Sequence, residues 1–165
     1  MHIGEYVKGG VATYLREIVS YQMQSDEISE VDLVLSNQSE HNFPISNDHI
    51  FYYKYKRESK YFFKTIAYLN RESKDNKPDI NHAHSTYAGF YVRILSLLRK
   101  RKYKIVYCSH GWAFLMEVPS YKKKIYAMVE RVLAVNTDKI INISYYEQNK
   151  AIGMGIPEQK CVLVN

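Results

Sequence analysis

The sequence predicts an α/β fold, in which a mostly parallel sheet of about seven strands is covered by helices in a doubly wound arrangement. Strand-forming segments alternate with amphipathic helical segments along the 165 residues, as such sheets require. The run of residues 105–108 is apolar without polar alternation, which is typical of a central parallel strand. The length suits one domain with a sizeable core.

The first half of the chain begins with a strand, a turn of two glycines and a helix. Residues 1–7 predict the strand, Gly9 and Gly10 follow, and residues 11–24 have the spacing of an amphipathic helix. Paired glycines let the backbone approach a ligand closely, and the first amides of a helix favour an anion. The later elements of this half are a strand over residues 31–36, a polar loop over 37–48, an edge strand over 50–53 and a helix over 58–75.

The second half repeats the alternation. A short strand ends at His84, and Ser85 or Thr86 caps a helix that spans residues 87–99. After the central strand come a loop over residues 113–118, a helix over 119–133, a strand over 138–144, a short helix over 145–151 and a last strand over 161–164.

Two histidines lie at or just beyond the carboxyl ends of predicted strands. His84 ends one strand, and His110 follows the next and precedes Gly111. Ligands of open parallel sheets bind beyond the carboxyl ends of the strands, so both imidazoles are candidates for a site; a turn histidine before a flexible glycine is the alternative. His82 and His84 point to the same face of an extended strand. The sequence offers no third ligand beside them, so we expect no metal.

Charge predicts anionic partners. The chain has 23 Lys and Arg against 17 Asp and Glu, a net charge of +6. The helix over 58–75 has a basic stripe opposite its apolar face, formed by Arg57, Lys60, Lys64, Arg71 and Lys74. This stripe is either a solvated face or an electrostatic attachment to anionic lipid. Without a long apolar run or a signal peptide, we expect a cytoplasmic protein, with peripheral contact at the inner membrane face as an extension.

The helix over residues 119–133 has two sides of different chemistry. Tyr121, Ile125, Met128 and Val132 share one apolar face. The three lysines at positions 122–124 are expected to point to solvent.

Several motifs occur in a characteristic order. They are Gly9-Gly10 before VATYL, PDINHAHS after a basic helix, Ser109-His110-Gly111, Tyr126-x-x-x-Glu130-Arg131, and TDKIINIS leading to Gly155-Ile156-Pro157 and VLVN. Together they resemble the N-terminal domain of retaining glycosyltransferases of the GT-B fold, in family 4, which use nucleotide-sugar donors. The resemblance spans residues 1–165 and implies a Rossmann-like, acceptor-side domain.

The resemblance implies roles for the donor side. Gly9, Gly10 and Gly111 would bring backbone amides near the donor diphosphate. His110 would lie in the cleft beside the transferred sugar and orient it through its ring or its backbone carbonyl, as the catalytic residue of this domain.

The resemblance also implies an acceptor pocket and a biological setting. His84, Ser85 and Tyr87 would line the pocket for a glycan or lipid-linked acceptor. Such enzymes usually act without a bound metal, so no metal or other cofactor is expected, and many assemble capsular or other surface polysaccharide at the cytoplasmic membrane face.

One departure from the family limits what this chain can do alone. The family's second domain binds most of the nucleotide and carries paired glutamates and basic residues, none of which lie within these 165 residues. Transfer needs positive charge where the leaving diphosphate develops negative charge. We therefore expect the C-terminal nucleotide-sugar domain to be absent and the isolated chain to be inactive or nearly so.

Three other functions remain to be compared. Half of a nucleotide-sugar epimerase would need specific carboxylates at strand ends. A non-catalytic module for RNA or another polyanion would need interleaved basic and aromatic residues on one surface, and we expect no nucleic acid. A nicotinamide-dependent oxidoreductase is disfavoured because the G-x-G-x-x-G fingerprint is absent.

Overall fold

The chain folds into two compact units, each built from parallel strands and helices. The computed structural model describes residues 1–56, 58–98 and 101–164. The first unit is Met1–Pro78, and the second begins at Asp79. Arg57 of the predicted basic stripe and Arg99, the predicted end of a helix, lie outside the described residues.

The first unit contains three strands and two helices. They are β1 (His2–Gly4), α1 (Gly10–Gln22), β2 (Leu33–Ser36), β3 (Ile50–Tyr53) and α2 (Ser59–Asp75), with a 3₁₀ turn at Asn47–His49. The strands run parallel in the order β3-β2-β1. β1 is shorter than predicted because the Val7 amide leaves the sheet and donates to Ser39 Oγ at 3.1 Å.

The core of the first unit lies between α1 and the sheet. Leu15 and Val19 of α1 are fully buried with Leu33 and Leu35 of β2. These residues confirm the predicted amphipathic helix, since they recur on the face of α1 that meets the sheet. In α2, the apolar face contributes Leu69 to the core.

The second unit contains four strands and three helices. They are β4 (Ile80–His84), α3 (Thr86–Leu98), β5 (Lys104–Cys108), α4 (Ser120–Ala134), β6 (Lys139–Asn142), α5 (Tyr145–Gly153) and β7 (Cys161–Leu163), with 3₁₀ turns at Ala113–Leu115 and Glu158–Lys160. The strands run parallel in the order β4-β5-β6-β7. The predicted fold class is confirmed, since seven parallel strands alternate with helices.

A buried ion pair stabilises the core of the second unit. Arg93 of α3 donates from Nη1 to Glu130 Oε2 of α4 at 2.7 Å, and both side chains are almost wholly buried. The Arg93 guanidinium also stacks 3.7 Å from the ring centre of Tyr107 in β5. These contacts tie two helices and a central strand together.

The apolar face predicted on α4 is present but faces solvent. Tyr121, Ile125, Met128 and Val132 are all exposed. The side that packs inward consists of Ala127, Glu130, Leu133 and Ala134. The helix is therefore buried through small residues and an ion pair, while its larger apolar side chains lie outside. Of the predicted solvent-facing lysines, Lys122 and Lys124 are exposed and Lys123 is half-buried.

Among the described residues, no helix combines the length and the apolar character needed to cross a bilayer.

Candidate functional site

The carboxyl ends of three neighbouring strands form one edge of the second unit. β4 ends at His84, β5 at Cys108 and β6 at Asn142, and we call this the carboxyl edge. The register places His84 beside Cys108, two residues before His110. Because parallel strands end at the same side of a sheet, the segments that follow them meet there.

His84 and His110, both predicted as site residues, are in direct contact. Nδ1 of His84 lies 3.1 Å from Nε2 of His110, and the ring centres are 5.4 Å apart. Burial lowers the pKa of His110 to about 4. His110 is therefore neutral at pH 7, so one of its ring nitrogens donates, the other accepts, and the ring carries no positive charge.

The backbone beside both histidines is in a conformation that non-glycine residues seldom adopt. Ser85 has φ 84° and His110 has φ 51°, and Gly111 follows with φ 122°. The turn at Ser85 is held because its amide donates to the Cys108 carbonyl at 3.1 Å and its carbonyl accepts from the Gly89 amide at 2.9 Å. Such conformations cluster at ligand sites and persist only where the surroundings hold them.

Trp112 anchors the segment that carries His110. Its indole Nε1 donates to Asn142 Oδ1 at 3.1 Å, and its ring stacks on Phe114 with centres 5.0 Å apart. Tyr107 meets the indole edge-on at 5.7 Å. These contacts of Trp112 connect the turn after β5 to the end of β6 and hold the His110 backbone in position.

Several buried polar atoms at the carboxyl edge have no hydrogen-bond partner among the described residues. They are Ser85 Oγ, Ser109 Oγ, Asn142 Nδ2 and Glu147 Oε2. Burial raises the pKa of Glu147, in the first turn of α5. Buried polar groups normally find partners, so hydroxyls, an amide and a carboxylate here are suited to a ligand rich in hydroxyl groups.

Sequence reasoning missed Ser109, Asn142 and Glu147 as site residues. Asn142 ends β6, but the predicted strand continues to residue 144 and hides this position. Glu147 stands three residues after Ser144, the spacing of a capping box, and its amide indeed donates to Ser144 Oγ at 3.2 Å.

The predicted glycine turn lies in the first unit, at the start of α1. Gly9 has φ 55°, and a Cβ at either Gly9 or Gly10 would meet no described atom within 4 Å. The Gly9 amide donates to Glu40 Oε1 at 2.9 Å, and Glu40 also pairs with Arg16. The Gly9 amide and Arg16 hold the pKa of Glu40 below its usual range. A carboxylate thus occupies the position expected for an anion.

Of the remaining predicted residues, Gly111 and Tyr87 are exposed near the carboxyl edge. A Cβ on Gly111 would meet no described atom within 4 Å, so the backbone there is open to approach. The Tyr87 ring lies 6.4 Å from that of Tyr91, one turn further along α3.

One group of described residues in the first unit could hold a cation. Glu30, Asp32 and His49 have ligand atoms within 4.8 Å of one another. His49 Nδ1 already lies 3.0 Å from Asp32, whose hydrogen bond raises the pKa of His49. The group lies before β2 and β3, away from their carboxyl ends, and is adequately explained as an ion pair. The expectation that this protein works without a bound metal stays a prediction.

These features define a Rossmann-like α/β domain with a polar site at its strand ends. Residues 8–165 match the family model described as Glycosyltransferase Family 4, and the chain belongs to this family.

Two curated relatives match the chain at more than one-third identity. The chain is 35% identical over 167 residues to an uncharacterized 41.2 kDa protein in the cps region of Klebsiella pneumoniae, covering 99% of this chain and 45% of that protein. It is 37% identical over 108 residues to the O-antigen biosynthesis glycosyltransferase WbnH of Escherichia coli, covering 64% and 31%. The chain thus spans less than half the length of these relatives.

Solved structures share the fold at low identity. The UDP co-structure of S. aureus MnaA matches with a TM-score of 0.71 and 16% identity, over 99% of this chain and 43% of that one. Anabaena Alr3699/HepE in complex with UDP matches with a TM-score of 0.65 and 16% identity, over 99% and 42%. These likenesses establish the fold alone.

Proposed function

We propose that this chain is the acceptor-side domain of a glycosyltransferase that moves a sugar from a nucleotide-sugar donor to a glycan or lipid-linked acceptor in surface polysaccharide biosynthesis. Family membership and the names of the relatives support the reaction class. The observation that carries the proposal is the carboxyl edge, where the hydrogen-bonded histidines His84 and His110 lie among buried polar atoms without described partners.

The chemistry of this edge fits a sugar better than a charged ligand. A neutral imidazole, two serine hydroxyls and an asparagine amide can exchange hydrogen bonds with neighbouring hydroxyl groups. We assign His110 to the transferred sugar, and His84, Ser85 and Tyr87 to the acceptor. An anion would gain little from the His110 ring, which carries no positive charge at pH 7, and would have to be bound by backbone amides instead.

The glycine turn has a different role in the proposal. Gly9 and Gly10, with Gly111 at the carboxyl edge, are assigned to the donor diphosphate through their backbone amides. The Glu40 carboxylate bonds the Gly9 amide, so a phosphate must displace it or use the amides that follow. Arg16, which pairs with Glu40, would then be available to the phosphate.

Sugar transfer also needs cationic groups beyond those at the carboxyl edge and the glycine turn. The leaving diphosphate has to be stabilised by preorganised positive charge, which the proposal assigns to a C-terminal nucleotide-sugar domain. The 165-residue chain alone is therefore proposed to bind its ligands without turnover. No metal or other cofactor is assigned.

Contact with a membrane is proposed through the basic stripe on α2. Lys60, Lys64, Arg71 and Lys74 are exposed. Lys60 pairs with Glu58 at 2.9 Å, and Arg71 with Glu72 at 3.0 Å. The attraction to anionic lipid then falls mainly to Lys64 and Lys74, at about 1 kcal/mol for each cation near the surface. Reversing both charges should weaken sedimentation with anionic vesicles; unchanged sedimentation would exclude this attachment.

Nuclear magnetic resonance of the ¹⁵N-labelled chain tests the main proposal. We would titrate a panel of nucleotide sugars, beginning with UDP-sugars because two fold neighbours contain UDP, and then a soluble oligosaccharide acceptor. Donors should shift the amides of Gly10, His110 and Gly111, and acceptors those of Ser85 and Tyr87. Absence of shifts at the carboxyl edge at millimolar ligand would refute the assignment.

The same samples separate the alternatives. Half of an epimerase would bind the nucleotide sugar but no oligosaccharide acceptor, so acceptor shifts at Ser85 and Tyr87 distinguish the two. An RNA-binding module would bind RNA in a salt-dependent manner. The basic run that suggested RNA is partly engaged within the protein, since Arg101 pairs with Asp138 at 2.7 Å and donates to the Asn136 carbonyl at 3.1 Å.

A further inference from the structure

The glycine turn at the start of α1 already holds an anion that belongs to the protein itself. The Glu40 carboxylate bridges two donors, because its Oε1 accepts from the Gly9 amide at 2.9 Å and its Oε2 accepts from Arg16 Nη2. The same hydrogen bonds from Gly9 and Arg16 hold the pKa of Glu40 below its usual range, so this carboxyl group is ionised at pH 7. Donors that stabilise a carboxylate here would stabilise another anion in the same way.

Only the side chain of Glu40 has to move for this position to become free. The backbone of the loop is held independently, because the Glu40 amide donates to the Val7 carbonyl at 2.9 Å and the Val7 amide donates to Ser39 Oγ at 3.1 Å. Phe43, further along the same loop, is buried in the core of the first unit. The Glu40 side chain is 37% exposed, so a displaced carboxylate can turn into water while the loop keeps its place.

Arg16 is held in position by contacts other than the one with Glu40. Its Nε donates to the Asn42 carbonyl at 2.7 Å, and its guanidinium lies 5.5 Å from the centre of the Phe43 ring. Nη2 is the nitrogen that bonds Glu40, so this donor is released when the carboxylate leaves. A positively charged donor then remains beside the Gly9 amide, where a phosphate would replace the carboxylate.

We propose that Arg16 binds the donor diphosphate at the glycine turn, and that Glu40 is an internal competitor which leaves the turn when the diphosphate binds. Phosphate oxygens then accept the two hydrogen bonds that the carboxylate gives up, from the Gly9 amide and from Arg16 Nη2. This inference rests on the proposed function, since it concerns how the donor enters the position assigned to it there. It adds one binding residue, and it gives the loop after β2 control over the affinity for the donor.

A purely structural ion pair would have the same contacts, but it predicts different signs for the effects on ligand affinity. If the pair only holds the loop against α1, loss of either partner should weaken ligand binding or leave it unchanged. If Glu40 competes with the donor, its removal should strengthen binding, because apparent affinity is reduced in proportion to the fraction of molecules whose site is open. Loss of Arg16 should weaken binding, since the phosphate loses a charged donor.

Titration of the 165-residue chain with pyrophosphate and with UDP tests these signs. Glu40→Gln keeps the size of the side chain and removes its charge, and it should lower the Kd of both ligands about fivefold. Arg16→Gln should raise both Kd values about tenfold, and in the Glu40→Gln background it should cancel the gain. The matched control Glu58→Gln removes the same charge from an exposed pair with Lys60, and it should leave both Kd values unchanged.

A measurement on the wild type covers the case in which a variant folds poorly. As pyrophosphate saturates the chain, the ¹³C resonance of the Glu40 carboxylate should move toward that of an exposed glutamate while the Gly9 and Gly10 amides shift. Equal Kd values for the wild type and Glu40→Gln, or a Glu40 resonance unchanged at saturation, would overturn this inference and leave the donor assignment of the turn intact. No shift of the Gly10 amide with either ligand in any variant would refute that assignment, and this inference with it.

Discussion

His84 and His110 are joined by a hydrogen bond of 3.1 Å between Nδ1 of the first and Nε2 of the second. In a neutral imidazole one nitrogen donates and the other accepts, so the tautomer of one ring fixes the tautomer of its partner. His84 thereby determines whether the outer nitrogen of His110 donates or accepts. A buried residue of β4 thus sets the hydrogen-bonding role of the histidine on the turn after β5.

The first prediction concerns this pair and sugar binding. His110→Gln should weaken the binding of a nucleotide sugar or oligosaccharide by about tenfold, because one hydrogen bond to the ligand is lost or misdirected. His84→Gln should have a smaller effect, and the double variant should lose less than the sum, since His84 acts through His110. Titrations followed by NMR provide the affinities.

His41→Gln is the matched control for that series. His41 is exposed in the first unit, and its ring is tilted against that of Tyr52 with centres 4.9 Å apart. Its substitution should leave affinity unchanged. Additive losses for His84 and His110 would contradict the coupling.

The second prediction concerns acid stability. Between about pH 4 and 6.5 an unfolded His110 binds a proton that the folded protein, with its lowered pKa, does not. The free energy of unfolding should therefore fall as pH decreases from 6.5, by up to about 3 kcal/mol for this residue, and level off below 4. His2, whose pKa burial also lowers to about 4, contributes in the same window.

Urea unfolding at several pH values measures that slope. The His110→Gln variant should show a weaker dependence of the free energy of unfolding on pH between 4 and 6.5. The part of the dependence that comes from His2 should remain. An unchanged slope in the His110→Gln variant would show that His110 is protonated as readily in the folded as in the unfolded protein.

The sequence was sufficient to predict the order of strands and helices. Apolar runs such as residues 105–108 and the helical spacing of Leu15 and Val19 are local signals, and burial in the structure follows them. The approach of His84 to His110 also followed from sequence, because both are placed at the ends of adjacent parallel strands.

Long-range pairings could not be read from sequence. Glu40 reaches the Gly9 amide across 31 positions, and Arg93 reaches Glu130 across 37. The outward direction of the apolar side of α4 has the same origin. Glu130 and two alanines face inward because Arg93 compensates the buried carboxylate, and this displaces Met128 and Val132 to the surface.

The third prediction concerns that ion pair. Glu130→Ala should cost about 3–5 kcal/mol in the free energy of unfolding, because it leaves the buried Arg93 charge without its carboxylate. Arg93→Met/Glu130→Leu should recover most of the loss, since no buried charge remains. Urea unfolding measures each, with Glu58→Ala as a control that breaks an exposed pair and should cost little. Equal losses of unfolding free energy in Glu130→Ala and Glu58→Ala would show that burial does not make the Arg93–Glu130 pair more important than an exposed one.

The fourth prediction compares one substitution at two glycines. In Gly89→Ala the new Cβ would lie 2.2 Å from the Tyr107 ring, which Arg93 covers at 3.7 Å. The ring cannot yield without moving the core, so we expect a loss of about 1–3 kcal/mol. In Gly153→Ala, at the end of α5, the Cβ would meet no described atom within 4 Å, and a gain of about 0.4–1 kcal/mol should follow because the unfolded chain loses freedom.

Thermal unfolding of the two variants gives opposite signs if this packing is correct. Tyr107→Leu in the Gly89→Ala background should restore part of the lost stability, because the shorter side chain frees the space that the methyl group needs. Tyr107→Leu alone should be destabilising, since it removes the ring that stacks on Arg93 and meets Trp112. A Gly89→Ala protein as stable as the wild type would mean that α3 and β5 are further apart than the distances above.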